Sequence, residues 1–502
     1  MASPPPTEYG ALHVYEPPAS SQRTSYKLLL GLAATATVAT AAVMSTTPSA
    51  APAPEPTRPL HVVESVYGAA EQVRRVPHAS FRTSVTPAHG SYIAVDTTQV
   101  FQEIQGFGGA FTEAAALHFH KLSPKVQAEI LRLYFDAETG VGYTIGRVPM
   151  NSCDFSPASY SFAEVANDSR LENFDMNVTH DQATIIPFLH AAQAVQPALK
   201  LFLSPWSPPA WMKLPDAMGQ RSMTSSVEPN GLDPAHRATW AHYFSKFISG
   251  YKAQGLPFWG LTPQNEPLFA APWEACLCTA QAQADSIAGF LGPQLRTDHP
   301  EVKIMVYDFI RDAVTDYASV NYAHASEYVD GVATHWYTMG GRELDGVKYL
   351  QELNVTHHVD PTNCNCPNVA TGTDAWFRGQ RYAHDILGNL NNWAVGWVDW
   401  NLMLDHNGGP NHLANTCDAP LILTPDEKSF TIQPMYYFIK HFSRYVPPGS
   451  HRVGVEVHAK IEAPGAVNLY TDYPAGLYAC DASGRQAWTR TADDKLQVTG
   501  TT

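Results

Sequence analysis

The sequence predicts an α/β protein built around a closed (β/α)₈ barrel, a TIM barrel, with β-rich segments at both ends. Across residues 101–445, short β-rich runs alternate with amphipathic helical stretches, the mark of a parallel sheet, and the length suits a closed barrel better than an open one. Before and after that region, apolar and polar residues alternate, as in His61-Val62-Val63-Glu64-Ser65-Val66 and His451-Arg452-Val453-Gly454-Val455-Glu456-Val457. With 502 residues, 44% of them apolar, the chain can bury a large core and carry a smaller companion domain.

In chain order, residues 1–27 form a polar tail ending in Arg23 and Lys27, and residues 28–44 are uncharged and rich in Leu, Ala, Thr and Val. That stretch is a membrane-targeting element, either a signal anchor or a signal peptide. The basic flank keeps the tail in the cytoplasm and directs everything after Ser45 to the lumen or exterior, the lysosome or vacuole included. A Pro/Ala-rich linker covers 45–59, and the N-terminal strands of a β-domain cover 60–100. Sequons at Asn167, Asn177 and Asn354 fit a secretory route. Seven cysteines leave at least one unpaired within the chain, and cysteines this far apart suit disulfides better than a metal. Cys364 and Cys366, with His357 and His358 nearby, have the ingredients of a zinc site, but neither metal nor cofactor is expected.

Within the barrel region, β-rich runs are read at 142–145, 199–203, 258–261, 302–306, 329–333 and 394–397, and helices at 124–134, 236–251 and 281–291. The informative feature is how the runs end: Arg147 to Asp154, Ser204-Pro205-Trp206, Gln264-Asn265-Glu266, His335-Trp336-Tyr337 and Asp399-Trp400-Asn401. Barrel strands open at their C-terminal ends onto one face, so these five clusters converge there. Contact with solvent explains one or two polar strand ends, not five that also carry bulky aromatics. A formal charge of -15 with no Lys/Arg cluster excludes nucleic acid as a partner. From 446 to 502 a C-terminal β-domain, short for a complete fold, is expected to complete the N-terminal strands.

Such a face, with carboxylates, amides and Trp together, suits sugar chemistry. Retaining hydrolysis of a glycosidic bond needs two carboxyl groups about 5–5.5 Å apart, one a general acid and the other a nucleophile. Glu266 follows an apolar run in Thr262-Pro263-Gln264-Asn265-Glu266-Pro267, which places it at the barrel mouth beside an amide able to bind a sugar hydroxyl.

At these residues the chain resembles the glucosylceramidases, the acid β-glucosidase group of clan A retaining glycoside hydrolases. The likeness rests on Gln105-Gly106-Phe107-Gly108-Gly109-Ala110, Arg147-Val148-Pro149-Met150-Asn151-Ser152-Cys153-Asp154-Phe155, Ser204-Pro205-Trp206 and Asn265-Glu266-Pro267. It continues through His335-Trp336-Tyr337, Arg381-Tyr382-Ala383-His384-Asp385, Gly396-Trp397-Val398-Asp399-Trp400-Asn401, Gly408-Gly409-Pro410-Asn411 and Gln433-Pro434-Met435-Tyr436-Tyr437. The resemblance implies a catalytic TIM barrel with an accessory β-sandwich formed from N- and C-terminal strands. Its substrate would be glucosylceramide or a related β-glucoside, met at a membrane. It makes Glu266 the general acid/base and sets Asn265 at the sugar 2-hydroxyl. Asp154, Trp206, Trp400 and Asn415 would hold the other hydroxyls, Arg147 would orient the carboxylates, and His335 and Tyr337 would line the cleft. Plainer readings stand beside these: Arg147 as a structural ion-pair partner, the two Trp as core, and the glycines at 106–109 as tight backbone packing.

The chain departs from the family at one point. Family members carry a seventh strand ending in Glu-Ala-Cys, whose Glu is the nucleophile, whereas this chain reads Thr356-His357-His358-Val359-Asp360-Pro361-Thr362-Asn363-Cys364. No glutamate occurs between Glu352 and Glu427, and the nearest carboxylate, Asp360, is expected in a loop before proline. Two functions follow: a glucosylceramidase-like hydrolase, or a catalytically impaired glycolipid- or carbohydrate-binding homologue that keeps the pocket.

Overall fold

The computed structural model describes residues 62–69, 72–76, 92–215, 221–224, 231–337, 359–360, 372–413, 415–458, 487–490 and 496–499. The apolar stretch at 28–44, Asn354, His357, His358, Cys364 and Cys366 lie outside the described residues. Eight parallel strands form the central sheet, here numbered β1 (Gly106–Ala110), β2 (Ile145–Met150), β3 (Lys200–Pro205), β4 (Phe258–Leu261), β5 (Lys303–Phe309), β6 (Gly331–His335), β7 (Val359–Asp360) and β8 (Gly396–Asn401). Their hydrogen-bonded order is β7-β6-β5-β4-β3-β2-β1-β8, so β1 pairs with both β2 and β8 as a barrel requires. Among the described residues no ladder joins β7 to β8. The two strands nonetheless lie side by side, with Cα atoms within 8 Å of each other.

Most strands run further toward their C-termini than hydrophobic runs indicate. β2 begins at Ile145 and includes Arg147, β6 includes His335, and β8 includes Asp399, Trp400 and Asn401. Those polar residues are inside the barrel wall and buried, not in loops beyond it. The other difference is β7: Asp360, expected in a loop, is a strand residue in parallel register with His335.

β1 is built from glycine, a poor strand former, because its neighbours leave no room for anything larger. A Cβ on Gly108 would lie 1.9 Å from the Ile145 carbonyl oxygen of β2. Gly106 has φ +138°, and a Cβ there would lie 2.1 Å from Thr144 Oγ1. Tight backbone packing, not phosphate binding, is what this motif serves.

The helices cover the strands by their apolar faces. Pro124–Phe135 starts with proline in its first turn, where a missing N–H costs nothing, and buries Ile130, Leu133, Tyr134 and Phe135. Arg237–Ala253 buries Trp240, Tyr243, Phe244, Phe247 and Tyr251. Glu113–Lys121 is capped by Thr112, whose hydroxyl accepts from Ala115 N at 3.3 Å and donates to Asn401 Oδ1 at 2.6 Å, which ties the helix start to β8. Helix Gly372–Asn391 is fixed by a buried polar network. Arg311 donates to Asp385 and, at 3.0 Å, to Asn389 Oδ1, while Trp397 Nε1 of β8 donates to the other Asp385 oxygen at 2.9 Å.

Both ends of the chain meet in accessory β-structure. Tyr92–Glu103 pairs antiparallel with His451–His458, from Glu103 opposite His451 to Tyr92 opposite His458. Arg452 adds a cation–π contact, its guanidinium 3.7 Å from the Phe101 ring centre. Val62–Glu64 with Arg74–Val76, and Ala487–Arg490 with Leu496–Thr499, form two further antiparallel pairs.

The Gly108 contact gives a direct test. Gly108→Ala should destabilise the fold by about 1–3 kcal/mol, since a methyl group must displace backbone of β2. Thermal unfolding of the two proteins compares them.

Candidate active site

Arg147 is the hub. Its side chain projects from β2, is 0% exposed, and spends its donors on three neighbouring strand ends. Nε donates to Ser204 Oγ of β3 at 3.1 Å, and one terminal nitrogen donates to Asn265 Oδ1 at 3.0 Å and to Asp308 Oδ2 of β5 at 2.9 Å. The guanidinium also lies 4.8 Å from the Trp206 ring centre and 5.4 Å from that of Trp400. Those two rings stack at 5.1 Å and 24°. The ion-pair reading of Arg147 is therefore correct, and the same contacts fix residues expected to bind a sugar.

Asp308, absent from the sequence-level set, is the anchor on the far side. Besides Arg147, its Oδ2 accepts from Thr262 Oγ1 at 2.6 Å, and its Oδ1 faces His335 Nε2 at 3.1 Å. Burial opposes its charge, but the Arg147 guanidinium and His335 outweigh burial and hold the carboxyl well below the usual carboxylate range. A signal for it existed: Tyr307-Asp308 ends the apolar run at 302–306 just as the other polar clusters end theirs.

His335 passes the arrangement on to Glu266. Its Nδ1 is 2.9 Å from the Tyr337 hydroxyl and 3.3 Å from Glu266 Oε1, and the Tyr337 hydroxyl itself donates to Glu266 Oε1. Burial works against an imidazolium, yet the hydrogen bonds to Asp308 and Glu266 prevail and raise its pKa to about 9. Both ring nitrogens then donate, Nε2 to Asp308 and Nδ1 toward Tyr337 and Glu266. Glu266 sits in the turn after β4 with φ +47°, a left-handed conformation uncommon outside glycine, held by its N–H to the Asp308 carbonyl at 3.0 Å. Its side chain is 15% exposed, buried except where it reaches the cleft.

Asp154 and Asn415 form a second pair, with Asn415 Nδ2 donating to Asp154 Oδ2 at 2.7 Å. Burial, with the nearby charges of Glu266 and Glu274, pushes the Asp154 carboxyl well above its ordinary range. Among the described residues, buried Asp154 Oδ1 and Trp400 Nε1 have no hydrogen-bond partner. Buried polar atoms are nearly always satisfied, so both atoms stand open to a polar group from outside the chain.

Seven of the nine residues expected at the site are thus joined by the contacts above: Arg147, Asn265, Trp206 and Trp400 around the guanidinium, and Glu266, His335 and Tyr337 around the carboxyl. Asp154 and Asn415 are the remaining pair, and Phe155, next to Asp154, packs edge-on against Trp400. Asn167 and Asn177 lie away from this set, exposed at the surface. Among the described residues, Cys153, Cys276 and Cys278 carry free thiols.

The Glycosyl hydrolase family 30 TIM-barrel domain matches residues 104–446. The mouse lysosomal acid glucosylceramidase is 36% identical over 384 residues, covering 73% of this chain and 72% of the relative. A Neurospora crassa endo-1,6-beta-D-glucanase is 30% identical over 358 residues, covering 70% of this chain and 71% of the relative. Among solved structures, SrfJ from Salmonella typhimurium superposes with a TM-score of 0.67 at 30% identity, covering 76% of this chain and 83% of the other.

The Arg147–Asp308–His335 chain has a pH signature. A histidine whose pKa rises to about 9 on folding stabilises the fold fully below its unfolded value near 6.5, and that contribution is lost as pH climbs through about 9. Asp308 acts in the opposite sense, contributing above the ordinary Asp value and losing its contribution as pH falls toward its depressed one. Asp308→Asn should cost about 3–5 kcal/mol, because it strands a buried guanidinium. It should also flatten the decline between neutral pH and pH of about 9, as read by chemical unfolding across that range.

Proposed function

The chain belongs to glycosyl hydrolase family 30 and is a glucosylceramidase-like glycoside hydrolase, and from that premise we propose that its cleft takes the β-linked glucosyl group of a glycolipid, glucosylceramide or a close relative, for retaining hydrolysis with Glu266 as general acid/base. The observation that carries this is the contact chain from Arg147 through Asp308 and His335 to Glu266 at the strand C-terminal ends. Glu266 would protonate the leaving oxygen, with Tyr337 and His335 holding its Oε1 and leaving the rest of the carboxyl for the substrate. Arg147 sets the side-chain amide of Asn265 beside it for the 2-hydroxyl. Asp154, Asn415, Trp206 and Trp400 take the remaining hydroxyls, with Asp154 Oδ1 and Trp400 Nε1 as the waiting partners.

The rim favours a lipid aglycone over a glucan. Leu268 and Phe269, directly after Glu266-Pro267, and Leu413, beside the Asn415 segment, are exposed apolar side chains on loops that border the cleft. An acyl or sphingoid chain gains from such a rim, whereas a glucan chain calls for polar groups there. The apolar stretch at 28–44 would bring the cleft to a membrane on the lumenal or extracellular side, and the lysosomal location in the mouse relative's name fits that route.

The second carboxylate is the weak point. The described part of β7 is Val359–Asp360 and no glutamate lies between 352 and 427, so the carboxylate that would form the glycosyl-enzyme bond in the family has no glutamate counterpart in this stretch of the chain. This favours the second reading for the chain as it stands, a glycolipid-binding homologue with impaired chemistry.

Release of a fluorescent aglycone from methylumbelliferyl β-glucoside decides between the two. The unaltered chain should turn over on the order of 10⁶-fold more slowly than one carrying an apolar strand ending in Glu-Ala before Cys364. In that repaired chain, Glu266→Gln should remove most activity. Robust turnover by the unaltered chain that survives Asp360→Asn overturns the impairment. Delivery has its own test: Asn167 and Asn177, both exposed, or Asn354 should carry glycans, seen as a mobility shift after glycosidase treatment.

A further inference from the structure

Glu274 and His412 hold the sugar-binding pair in place from behind. Glu274 lies eight residues past Glu266 on the loop that follows β4, and its side chain is fully buried. Oε1 accepts from Ser152 Oγ at 2.9 Å and Ser159 Oγ at 2.7 Å, both on the loop after β2 that carries Asp154. Oε2 faces His412 Nε2 at 3.4 Å, and each of these two buried atoms is otherwise without a hydrogen-bond partner among the described residues.

His412 belongs to the loop after β8. Its Nδ1 lies 2.7 Å from the Ser156 carbonyl, two residues past Asp154. A carbonyl only accepts, so Nδ1 carries the proton. On the same loop, the neighbouring Asn411 accepts from Asn415 N at 2.9 Å through Oδ1, and its Nδ2 donates to the Asn415 carbonyl. Asn415 in turn donates to Asp154. Loops from β2, β4 and β8 thus converge on one buried carboxylate, and the two of them that carry the sugar-binding side chains are joined through it and through His412.

We propose that Glu274 and His412 are positioning residues that set the Asp154–Asn415 pair for a sugar hydroxyl; they touch no ligand themselves. The inference rests on the reading of this cleft as a sugar site. A buried carboxylate facing an imidazole is costly unless it secures something. Here it secures the spacing between two loops that otherwise share few bonds, and hydroxyl recognition tolerates little misplacement.

Binding is the readout, because it does not need the missing nucleophile. The probe is deoxynojirimycin, a glucose-configured iminosugar, titrated calorimetrically into the full chain. His412→Ala should weaken binding by the folded protein about tenfold, or about 1.4 kcal/mol. His412→Gln, whose amide N–H can donate toward Glu274 from the place of Nε2, should restore most of it. In an Asp154→Asn background His412→Ala should add almost nothing, since it acts through Asp154. If the alanine variant does not fold, Glu274→Asp, which retracts the carboxylate by one methylene, carries the same expectation. Full affinity in His412→Ala, no rescue by Gln, or a loss that adds in full to that of Asp154→Asn overturns the pairing while the sugar site stands. If the unaltered chain binds no iminosugar, the sugar-site reading falls and this inference falls with it.

Discussion

The buried ion pair between Arg147 and Asp308 is the contact on which the site is organised. Both side chains are 0% exposed, and removing two charges from water costs several kcal/mol for each ion. Mutual attraction alone does not offset that. The remaining lone pairs and protons must be satisfied, and they are, by Ser204, Asn265, Thr262 and His335. The requirement to satisfy one guanidinium and one carboxylate therefore dictates what stands at the ends of β3, β4, β5 and β6. It also explains why a polar cluster sits within the barrel wall instead of in surface loops.

From that dry base the cleft opens toward solvent in steps. Asp308 is held ionised by its cationic neighbours, while Asp154, also buried but with anionic neighbours, is pushed toward the neutral acid. Two aspartates on one face are thus separated by environment, one serving as a fixed counter-ion and the other as a hydrogen-bonding group with an unspent oxygen. Glu266 stands between these regimes. Its backbone is strained into the left-handed region, a cost that the surrounding hydrogen bonds sustain, and the result is a carboxyl aimed into the cleft and not back onto the wall.

The described part of β7 meets this arrangement through the backbone register of Asp360 with His335, and the side-chain contacts named for the cluster come from other segments. Arg147, Asp308, His335, Glu266, Trp206 and Trp400 come from β2, β5, β6, β8 and the segments after β3 and β4. The described cluster is carried by strands other than β7. A chain can therefore keep the family's cleft while lacking one catalytic carboxylate, which is the physical content of having two functional readings.

Much of this was legible beforehand. Alternation of short apolar runs with amphipathic helices specified a parallel barrel, since periodicity follows directly from which faces are buried, and convergence of strand ends followed from barrel geometry. Phe258–Leu261 was found to the residue, because both of its ends are marked by turn chemistry. β1 was not readable as a strand: Gly106-Phe107-Gly108-Gly109-Ala110 has neither alternation nor β-branched residues, and only the proximity of Ile145 O shows why glycine is there. Asp308 was passed over because its partners, Arg147, Thr262 and His335, lie 161, 46 and 27 residues away. The sequence by itself determined which residue types gather at the open face and that no glutamate stands between Glu352 and Glu427, because composition and local period are properties of the chain alone. Tertiary structure decided which acid is ionised, which polar atoms are left for a ligand and which loops are tied together, because burial and charge coupling exist only once distant segments have met.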